Sequence, residues 1–386
     1  MKTTYYFDNA ATTFPKPEEV YTEMDKFYRS YGVNVGRGQF YEASVANQMV
    51  EETRGLILEL FHVLNLYSCV FTASATEALN VILQGFPWKQ GMRVYISPFE
   101  HNAVLRPLQF VKDKYDLDVH ILKPNPITLQ YDLDEVEAHF GSKKPDMVIL
   151  THASNAFGNV LPVSEIFSLA KKQGAITVCD LAQTAGLIDI NIIQAHIDYA
   201  VFAGHKTLYG PFGIAGFVTN QNLLLSPLTY GGTGIDSKNS NMPEEMPTKY
   251  EAGSLNVHAI SGLNASLKWL NSIGINAIRQ KERDIANKLL STLRSHDNIT
   301  IIGAEATCDK IGVVSCVFEG YSSDNIGQVL SEHGIAVRTG LHCAPQAHDF
   351  MKTAPDGTVR FSIGYFVSEE SISELNKVLD YIELEG

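Results

Sequence analysis

The sequence lacks the features of secreted, membrane and metal-binding proteins. Its 386 residues contain only five cysteines, an odd number with no Cys-x-x-Cys pair, which excludes a disulfide framework and a zinc ribbon. No apolar run approaches the roughly 20 residues that span a bilayer, and the N-terminal stretch lacks the apolar core and cleavage site of a signal peptide. We therefore expect a soluble, cytoplasmic protein without a metal site.

Positive charge is also scarce. Lys and Arg total 30 against 43 Asp and Glu, a net charge of -13. Such a surface repels nucleic-acid backbones and anionic lipid, so neither is an expected partner. The hydrophobic share of 45% and charged share of 19% are those of a globular protein.

Short apolar runs alternate with amphipathic stretches from Cys69 onward, which predicts an α/β fold with a mostly parallel sheet covered by helices. The runs predicted as strands are CVFTA, RVYIS, DVHIL, DMVILTH, AITVCD and YAVFA. Helical patterns are predicted at about 17–30, 43–63, 76–86, 101–114, 132–140 and 162–173. A further run, GIAGFV, follows YAVFA so closely that we expect it to join the sheet antiparallel.

The pattern changes in the last third of the chain. Helices at about 275–296 and 369–384 flank the runs TIIG, GVVSCVF, IAVRT and VRFSI, which predicts a compact α+β unit. The stretch 231–250 is rich in Gly, Asn, Ser and Pro and is predicted as a long surface loop. We expect a large cofactor-binding domain at 16–265 and a small domain at 266–386 that also includes 1–15.

Two residues at neighbouring strand ends indicate a chemical site. Lys206 follows YAVFA, and Asp180 ends AITVCD with Gln183 three residues later. Ligands of open α/β sheets bind at the carboxyl ends of the strands. Pyridoxal phosphate needs a lysine for its aldehyde and an acid for its ring nitrogen. By themselves, a solvated lysine and a turn-capping aspartate are equally consistent with the sequence.

Two further segments are consistent with such a site. The stretch Thr72–Glu77 places small and hydroxylated residues at a predicted helix start, which suits a phosphate or a simple N-cap at Ser74 or Thr76. His101 follows RVYIS and has the chemistry to stack on a pyridine ring, although single loop histidines are common at surfaces.

These residues belong to a set of motifs that occurs in order along the chain: Asn9-Ala10-Ala11-Thr12-Thr13, Ala75-Thr76-Glu77-Ala78-Leu79-Asn80, Glu100-His101-Asn102, Ser154-Asn155, Asp180-Leu181-Ala182-Gln183, Gly204-His205-Lys206, Glu251-Ala252-Gly253-Ser254 and Arg338-Thr339-Gly340-Leu341-His342-Cys343-Ala344. Taken together, the set resembles the class V aminotransferase-fold cysteine desulfurases along nearly the whole chain. The resemblance implies the fold of pyridoxal-phosphate-dependent transferases of the aspartate aminotransferase type.

The resemblance also implies a role for each cofactor-binding residue. Lys206 bonds covalently to pyridoxal phosphate, His101 stacks on its ring, and Asp180 pairs with the ring nitrogen. Gln183 and Asn155 contact the side of the ring that bears the phenolic oxygen.

The resemblance implies that Thr76 and His205 hold the phosphate of the cofactor. Ser254 from the partner subunit of a homodimer is implied to hold it as well.

For the substrate, L-cysteine or L-selenocysteine, the resemblance implies that Arg360 binds the carboxylate, with Arg338 and Asn155 nearby. Cys343 receives the sulfur as a persulfide, and L-alanine leaves. The polar neighbours His342 and Arg338 are candidates for stabilising the Cys343 thiolate. The other four cysteines, Cys69, Cys179, Cys308 and Cys316, are predicted to be buried small hydrophobes.

Three positions depart from the family pattern. Ala203 replaces a serine that commonly precedes Gly-His-Lys, so one phosphate hydroxyl is missing. Gln39-Phe40 follows Arg37-Gly38 where a histidine is common. Cys343 is expected in a short ordered segment, which restricts its reach and favours a sulfur-accepting partner protein.

Three alternatives stay open at this point. A selenocysteine lyase or an aminotransferase on the same fold uses the same cofactor. A non-catalytic sulfur carrier is a different class, although the joint presence of Lys206, Asp180, His101 and Cys343 argues against it. A nicotinamide oxidoreductase lacks support because no Gly-x-Gly-x-x-Gly follows the first strand of the sheet.

Overall fold

The computed structural model describes residues 4–35, 38–64, 66–223, 225–234 and 240–385. The strands in these residues are β1 (Tyr5–Tyr6), β2 (Tyr67–Thr72), β3 (Arg93–Ile96), β4 (Asp118–Ile121), β5 (Met147–Thr151), β6 (Ile176–Asp180), β7 (Tyr199–Ala203), β8 (Ala215–Asn220), β9 (Ile299–Ile301), β10 (Val313–Phe318), β11 (Ile335–Ala336), β12 (Arg338–Gly340) and β13 (Thr358–Ser362).

The helices are α1 (Glu18–Tyr31), α2 (Tyr41–Leu60), α3 (Ala75–Gly85), α4 (Asn102–Tyr115), α5 (Leu133–Ser142), α6 (Val163–Lys172), α7 (Val257–Ile273), α8 (Ile275–Arg294), α9 (Ser323–Glu332), α10 (Pro345–Phe350) and α11 (Glu369–Glu385). None of the helices in the described ranges is long and apolar enough to cross a membrane.

The large sheet has seven strands in the order β2-β8-β7-β6-β5-β3-β4. The pairs from β7 through β4 are parallel, whereas β8 pairs antiparallel with both β2 and β7. This confirms the predicted mostly parallel α/β sheet and the antiparallel run GIAGFV. Strands β5 and β7 are buried at every position, as their continuous apolar runs require.

Each face of the large sheet packs into its own apolar core. Along β5, Val148 and Leu150 belong to a core that also contains residues of α2 and α6. Their neighbours Met147 and Ile149 belong to a second core with residues of α3 and α4. Because side chains alternate along a strand, this division means that helices cover both faces.

A smaller antiparallel sheet, β12-β13-β10-β9, lies in the last third of the chain. Its core is built from residues of α8, α9 and α11 and includes Phe7 from the N-terminal segment. The N-terminal segment also adds β1, which pairs parallel with β11. The chain start is therefore joined to elements more than 300 residues away.

The predicted helices are present within a few residues, but α7, α9 and α10 were not predicted. Of these, α9 and α10 are short, with ten and six residues. The described part of 231–250 contains no helix or strand, as predicted, and 235–239 lie outside the described residues. The two-domain division stays a prediction, and its boundary at 265–266 falls within α7.

Three of the four cysteines predicted to be buried are so: Cys69, Cys179 and Cys316. Cys308 is only half-buried, because it lies in a loop rather than a strand.

Candidate active site

A cavity opens at the carboxyl edge of the large sheet, where β6 and β7 end. It is bounded by the N-terminal segment on one side and by β12 and β13 on the other. The residues that line it are Ala10, Ala11, Ser74, Ala75, Thr76, His101, Ala103, Thr151, Asn155, Asp180, Ala182, Gln183, Ala203, His205, Lys206, Arg338, His342, Cys343 and Arg360. All the predicted site residues except Ser254 are in this set.

Lys206 reaches the cavity from a tight turn that follows β7. The backbone N–H of Tyr209 donates to the Lys206 carbonyl over 2.8 Å, and Tyr209 adopts a left-handed conformation with φ of 57°. Burial lowers the pKa of Lys206, Asp180 and Cys343 oppose that shift, and the arginines of the site add to it. A lowered pKa favours the neutral amine, which is the form that attacks an aldehyde.

The N-terminal segment forms hydrogen bonds with the backbone at and before Lys206. The His205 carbonyl accepts hydrogen bonds from Lys16 Nζ over 2.6 Å and from Thr12 Oγ1 over 2.9 Å. Thr13 Oγ1 donates to the Lys206 carbonyl over 3.1 Å. These contacts fix the turn from which the lysine side chain projects.

Asp180 ends β6 inside the cavity and is 6% exposed. Its Oδ1 accepts from the Ala182 backbone N–H over 2.9 Å. Burial raises the pKa of Asp180, while that hydrogen bond and Lys206 lower it. Gln183 Nε2 donates to the Ala10 carbonyl over 2.8 Å, so its amide is held in place by the N-terminal segment.

His101 caps the start of α4. Its Nδ1 accepts from the Ala103 backbone N–H over 3.0 Å, so the remaining ring proton of the neutral imidazole is on Nε2. Burial and the neighbouring Lys206 lower the pKa of His101 to about 4. The ring is therefore uncharged at neutral pH, as stacking on a pyridine ring requires.

Glu100, directly before His101, is fully buried. Its Oε1 accepts from Ser97 Oγ and from the Thr151 backbone N–H. Burial raises the pKa of Glu100 to about 8, so its carboxyl is mainly protonated at neutral pH.

The start of α3 lies at one end of the cavity, and the unpaired backbone N–H groups of a helix start are suited to an anion. Ser74 Oγ accepts from the Glu77 backbone N–H over 3.1 Å, which makes Ser74 the N-cap. Thr76 is exposed at the cavity wall, and Nδ1 of His205 is buried with no hydrogen-bond partner among the described residues. Ala203 contributes no hydroxyl here, so the helix terminus, Thr76 and His205 are the available phosphate donors.

Two arginines form the opposite wall of the cavity. Arg360, on β13, is 2% exposed, and its Nη1 donates to the Asn155 carbonyl over 2.9 Å. Its Nη2 lies 2.6 Å from Asp8 Oδ1, and Arg338 Nε lies 3.1 Å from Asp8 Oδ2. Burial lowers the pKa of Arg360, and Asp8 opposes that shift.

Cys343 is the exposed cysteine among the five, all of which lie in described residues. Only 341–344 separate β12 from α10. The Cys343 carbonyl accepts from the Asn102 N–H over 2.7 Å, and Cys343 and its neighbour His342 have positive φ angles of 56° and 49°. The segment is thus short and held in place, as expected.

His342 does not stabilise the Cys343 thiolate by charge, so that expectation is wrong. The imidazole is 5% exposed, and its Nε2 bonds to Thr358 Oγ1 over 2.9 Å. Burial, with added repulsion from Arg360, lowers the pKa of His342 to about 2. Arg338 is held by Asp8.

Ser254 lines a separate cavity with Arg54, Glu251 and Thr233. The role implied for it in a partner's site stays a prediction. Of the Arg37–Phe40 departure, Arg37 lies outside the described residues, and Phe40 precedes α2 with half of its surface exposed.

The donor groups of the cavity fit pyridoxal phosphate. Lys206 matches its aldehyde, the buried Asp180 carboxyl matches its ring nitrogen, and the orphaned His205 Nδ1 and the start of α3 match its phosphate. The neutral His101 ring matches its π face.

Sequence reasoning missed Asp8, Lys16 and Glu100. Asp8 directly precedes the first motif and Glu100 belongs to the third, but the sequence analysis assigned neither of them a role. Each has at least one partner far along the chain: the arginines for Asp8, the His205 carbonyl for Lys16 and the Thr151 N–H for Glu100. No local spacing indicates these distant contacts.

Comparison with known proteins agrees with this geometry. The model of the aminotransferase class-V family matches residues 5–375. A probable cysteine desulfurase of Methanothermobacter thermautotrophicus is 31% identical, covering 98% of this chain and 94% of that protein. One of Pyrococcus abyssi is 32% identical, covering 97% and 93%.

Solved structures agree as well. The apo structure of the cysteine desulfurase from Thermococcus onnurineus superposes with a TM-score of 0.92 at 28% identity, covering 99% of this chain and 95% of that one. A cysteine desulfurase of Escherichia coli gives 0.87 at 27% identity, with the same coverage. The predicted fold class and family resemblance are thereby confirmed. This chain belongs to the class-V aminotransferase family, among relatives named cysteine desulfurases.

Proposed function

We propose that this chain is a pyridoxal-phosphate-dependent cysteine desulfurase that converts L-cysteine to L-alanine and keeps the sulfur as a persulfide on Cys343. The observation that carries the proposal is that the exposed cysteine, the strand-end lysine and the buried arginine line one cavity. The similarity to cysteine desulfurases over nearly the whole chain supports it.

Bound pyridoxal phosphate supplies the aldehyde that captures the substrate amine and the ring that accepts electrons from Cα. Lys206 then acts as the base that takes the Cα proton, because its Nζ is the amine of this cavity and burial favours its neutral form. With the cofactor bound, Asp180 would hold a proton on the ring nitrogen, and His101 would pack against the ring.

Arg360 binds the substrate carboxylate through its buried guanidinium, assisted by Arg338 and Asn155. This contact fixes the amino acid between the arginines and Lys206. The substrate side chain is then free to face Cys343.

Cys343 acts as the nucleophile through its thiolate. Its Sγ bonds to the substrate sulfur while the carbon–sulfur bond of the substrate breaks, and the electron pair of that bond stays with carbon, which is protonated. L-Cysteine and a thiol thus become L-alanine and a persulfide, with no external oxidant.

The short segment that holds Cys343 supports a sulfur-accepting partner protein that comes to the cavity mouth. The position of Ser254, outside the cavity of its own chain, supports a homodimer in which it reaches the other subunit. Light scattering at micromolar concentration tests the dimer, and a fully active monomer would contradict it.

The test of the function is product analysis of purified protein reconstituted with pyridoxal phosphate. With L-cysteine and a reducing thiol, we expect L-alanine and sulfide in equal amounts, and L-serine as the control substrate gives neither. Absence of alanine from L-cysteine refutes the proposal. Alanine from L-selenocysteine alone would establish the lyase alternative.

A further inference from the structure

Asp8 joins the two arginines of the cavity. Its Oδ1 lies 2.6 Å from Arg360 Nη2, and its Oδ2 lies 3.1 Å from Arg338 Nε. The Asp8 side chain is 13% exposed and that of Arg360 is 2% exposed. This ion pair is therefore a buried one, unlike the solvated pairs that contribute little to stability.

The backbone holds Asp8 in this place independently of the charges. The Ser362 N–H donates to the Phe7 carbonyl over 2.6 Å, and Ser362 Oγ accepts from the Ala10 N–H over 2.9 Å. Asn9 Nδ2 donates to the Ser362 carbonyl over 3.0 Å. The segment thus runs beside β13, which also carries Arg360.

Asp8 leaves part of the Arg360 guanidinium free. Nη1 is bonded to Asn155, and Nη2 to Asp8, but Nε is buried with no hydrogen-bond partner among the described residues. Two cations and one carboxylate leave a single net positive charge on this wall. One substrate carboxylate neutralises it.

We propose that Asp8 is a positioning and specificity residue, which orients Arg360 and Arg338 and matches their combined charge to a single carboxylate. Amino acids with a second anionic group are disfavoured, because Asp8 repels that group. The inference rests on the proposed function only in that the ligand is an α-amino acid.

The first test replaces Asp8→Asn, which keeps the size and removes the charge. We expect KM for L-cysteine to rise at least about tenfold, while kcat changes by less than about threefold, since a ground-state contact is lost. Thermal unfolding checks that the variant is folded. Asp118→Asn is the matched control, because Asp118 pairs with Arg93 over 3.0 Å outside the cavity.

The second test measures binding rather than turnover. L-Alanine and L-aspartate are titrated against the holoenzyme, followed by the visible absorbance of the cofactor. In Asp8→Asn the ratio of the two dissociation constants should shift at least about tenfold toward L-aspartate, because the wall gains a positive charge.

Arg338→Gln removes a positive charge from the same wall, the opposite change in charge to Asp8→Asn. The Arg338 side chain is 48% exposed, so this variant is expected to fold even if the Asp8 variant does not. In Arg338→Gln the ratio of the dissociation constants of L-alanine and L-aspartate should shift away from L-aspartate. In the double variant Asp8→Asn/Arg338→Gln this ratio should return toward the wild-type value. Unchanged ratios in the single variants overturn the inference. If wild type makes no alanine from L-cysteine but the ratios shift as stated, the proposed function fails and the role of Asp8 stands.

Discussion

The two walls of the cavity achieve their chemistry in opposite ways. The lysine wall, made of Lys206, Asp180 and His101, consists of side chains at strand ends of the large sheet, and burial shifts their pKa values toward the uncharged forms. The arginine wall is made of Arg360, Arg338 and Cys343. Its buried Arg360 keeps its charge because it pairs with Asp8, which also pairs with the half-exposed Arg338.

This difference in charge and pKa shift suits the two walls to different chemical roles. Groups whose pKa values are shifted toward the uncharged form are suited to covalent bonding with an aldehyde and to proton transfer. Paired guanidinium groups are suited to holding an anion in one orientation. In the proposed function, the lysine wall therefore holds the cofactor and moves the proton, whereas the arginine wall holds the substrate and receives the sulfur.

The largest effect is expected when the lysine wall loses its nucleophile. Lys206→Ala should abolish turnover and the visible absorbance of the covalently bound cofactor, because no other amine of the described residues lines the cavity. Absorbance spectra of the purified protein provide the measurement. Lys172→Ala, at the surface in a pair with Glu137, is the matched control and should stay yellow. An unchanged spectrum in Lys206→Ala would refute the assignment of this wall.

A smaller and different effect is expected from the arginine wall. Arg360→Lys keeps the charge but loses the planar geometry that reaches Asp8 and the Asn155 carbonyl together. We expect KM for L-cysteine to rise about tenfold to a hundredfold, the value of one or two charged hydrogen bonds. The cofactor spectrum should be retained.

Steady-state kinetics with Arg93→Lys as the control measures the effect of Arg360→Lys. A loss of the cofactor absorbance with an unchanged KM would mean that the two walls do not have separate tasks.

The smallest effect is expected on protein stability, from the hydrogen bonds of Tyr209, which connect the turn of Lys206 to Glu282 and to the backbone after β13. Tyr209, which bonds to the Lys206 carbonyl, donates its hydroxyl to the buried Glu282 over 2.6 Å and accepts from the Tyr365 N–H. Burial raises the pKa of Glu282 to about 7 from its ordinary 4.5. The folded protein thus binds more protons than the unfolded chain between these values, so the free energy of unfolding falls as pH rises through that window.

Glu282→Gln removes this titration but keeps an acceptor for the Tyr209 hydroxyl. The pH dependence, at most about 1.4 kcal/mol per pH unit from this group, should therefore flatten between pH 5 and about 7. Urea unfolding at several pH values measures it. Glu137→Gln, at the surface, should leave the slope unchanged, and a wild-type slope in Glu282→Gln would contradict the role of this carboxyl.

The comparison of the walls also explains what the sequence could predict. The lysine wall follows from buried strands, whose apolar runs locate Asp180 and Lys206 at one edge of a parallel sheet. The arginine wall depends on contacts between residues 8, 338 and 360, which no periodicity indicates. Arg360 and Cys343 were found through the resemblance, and Asp8 was not found.

Protonation states were the least predictable part of the site. His342 stands beside Cys343 in the sequence, and only its burial against Thr358 shows that it is uncharged. The helices α9 and α10 were missed for a related reason, since tertiary packing rather than local propensity stabilises such short elements.

The most direct test of the account is where the sulfur goes after one turnover. L-Cysteine is added to the holoenzyme without a reductant, and the cysteine peptides are analysed by mass spectrometry alongside the release of L-alanine. We expect the mass of one additional sulfur atom on the peptide that contains Cys343, and on neither the Cys308 peptide nor those of the buried cysteines. Cys343→Ala should bind the cofactor normally but release almost no alanine, whereas Cys308→Ala should behave as wild type. Undiminished alanine from L-cysteine in Cys343→Ala, or sulfur found on another cysteine, would contradict the account.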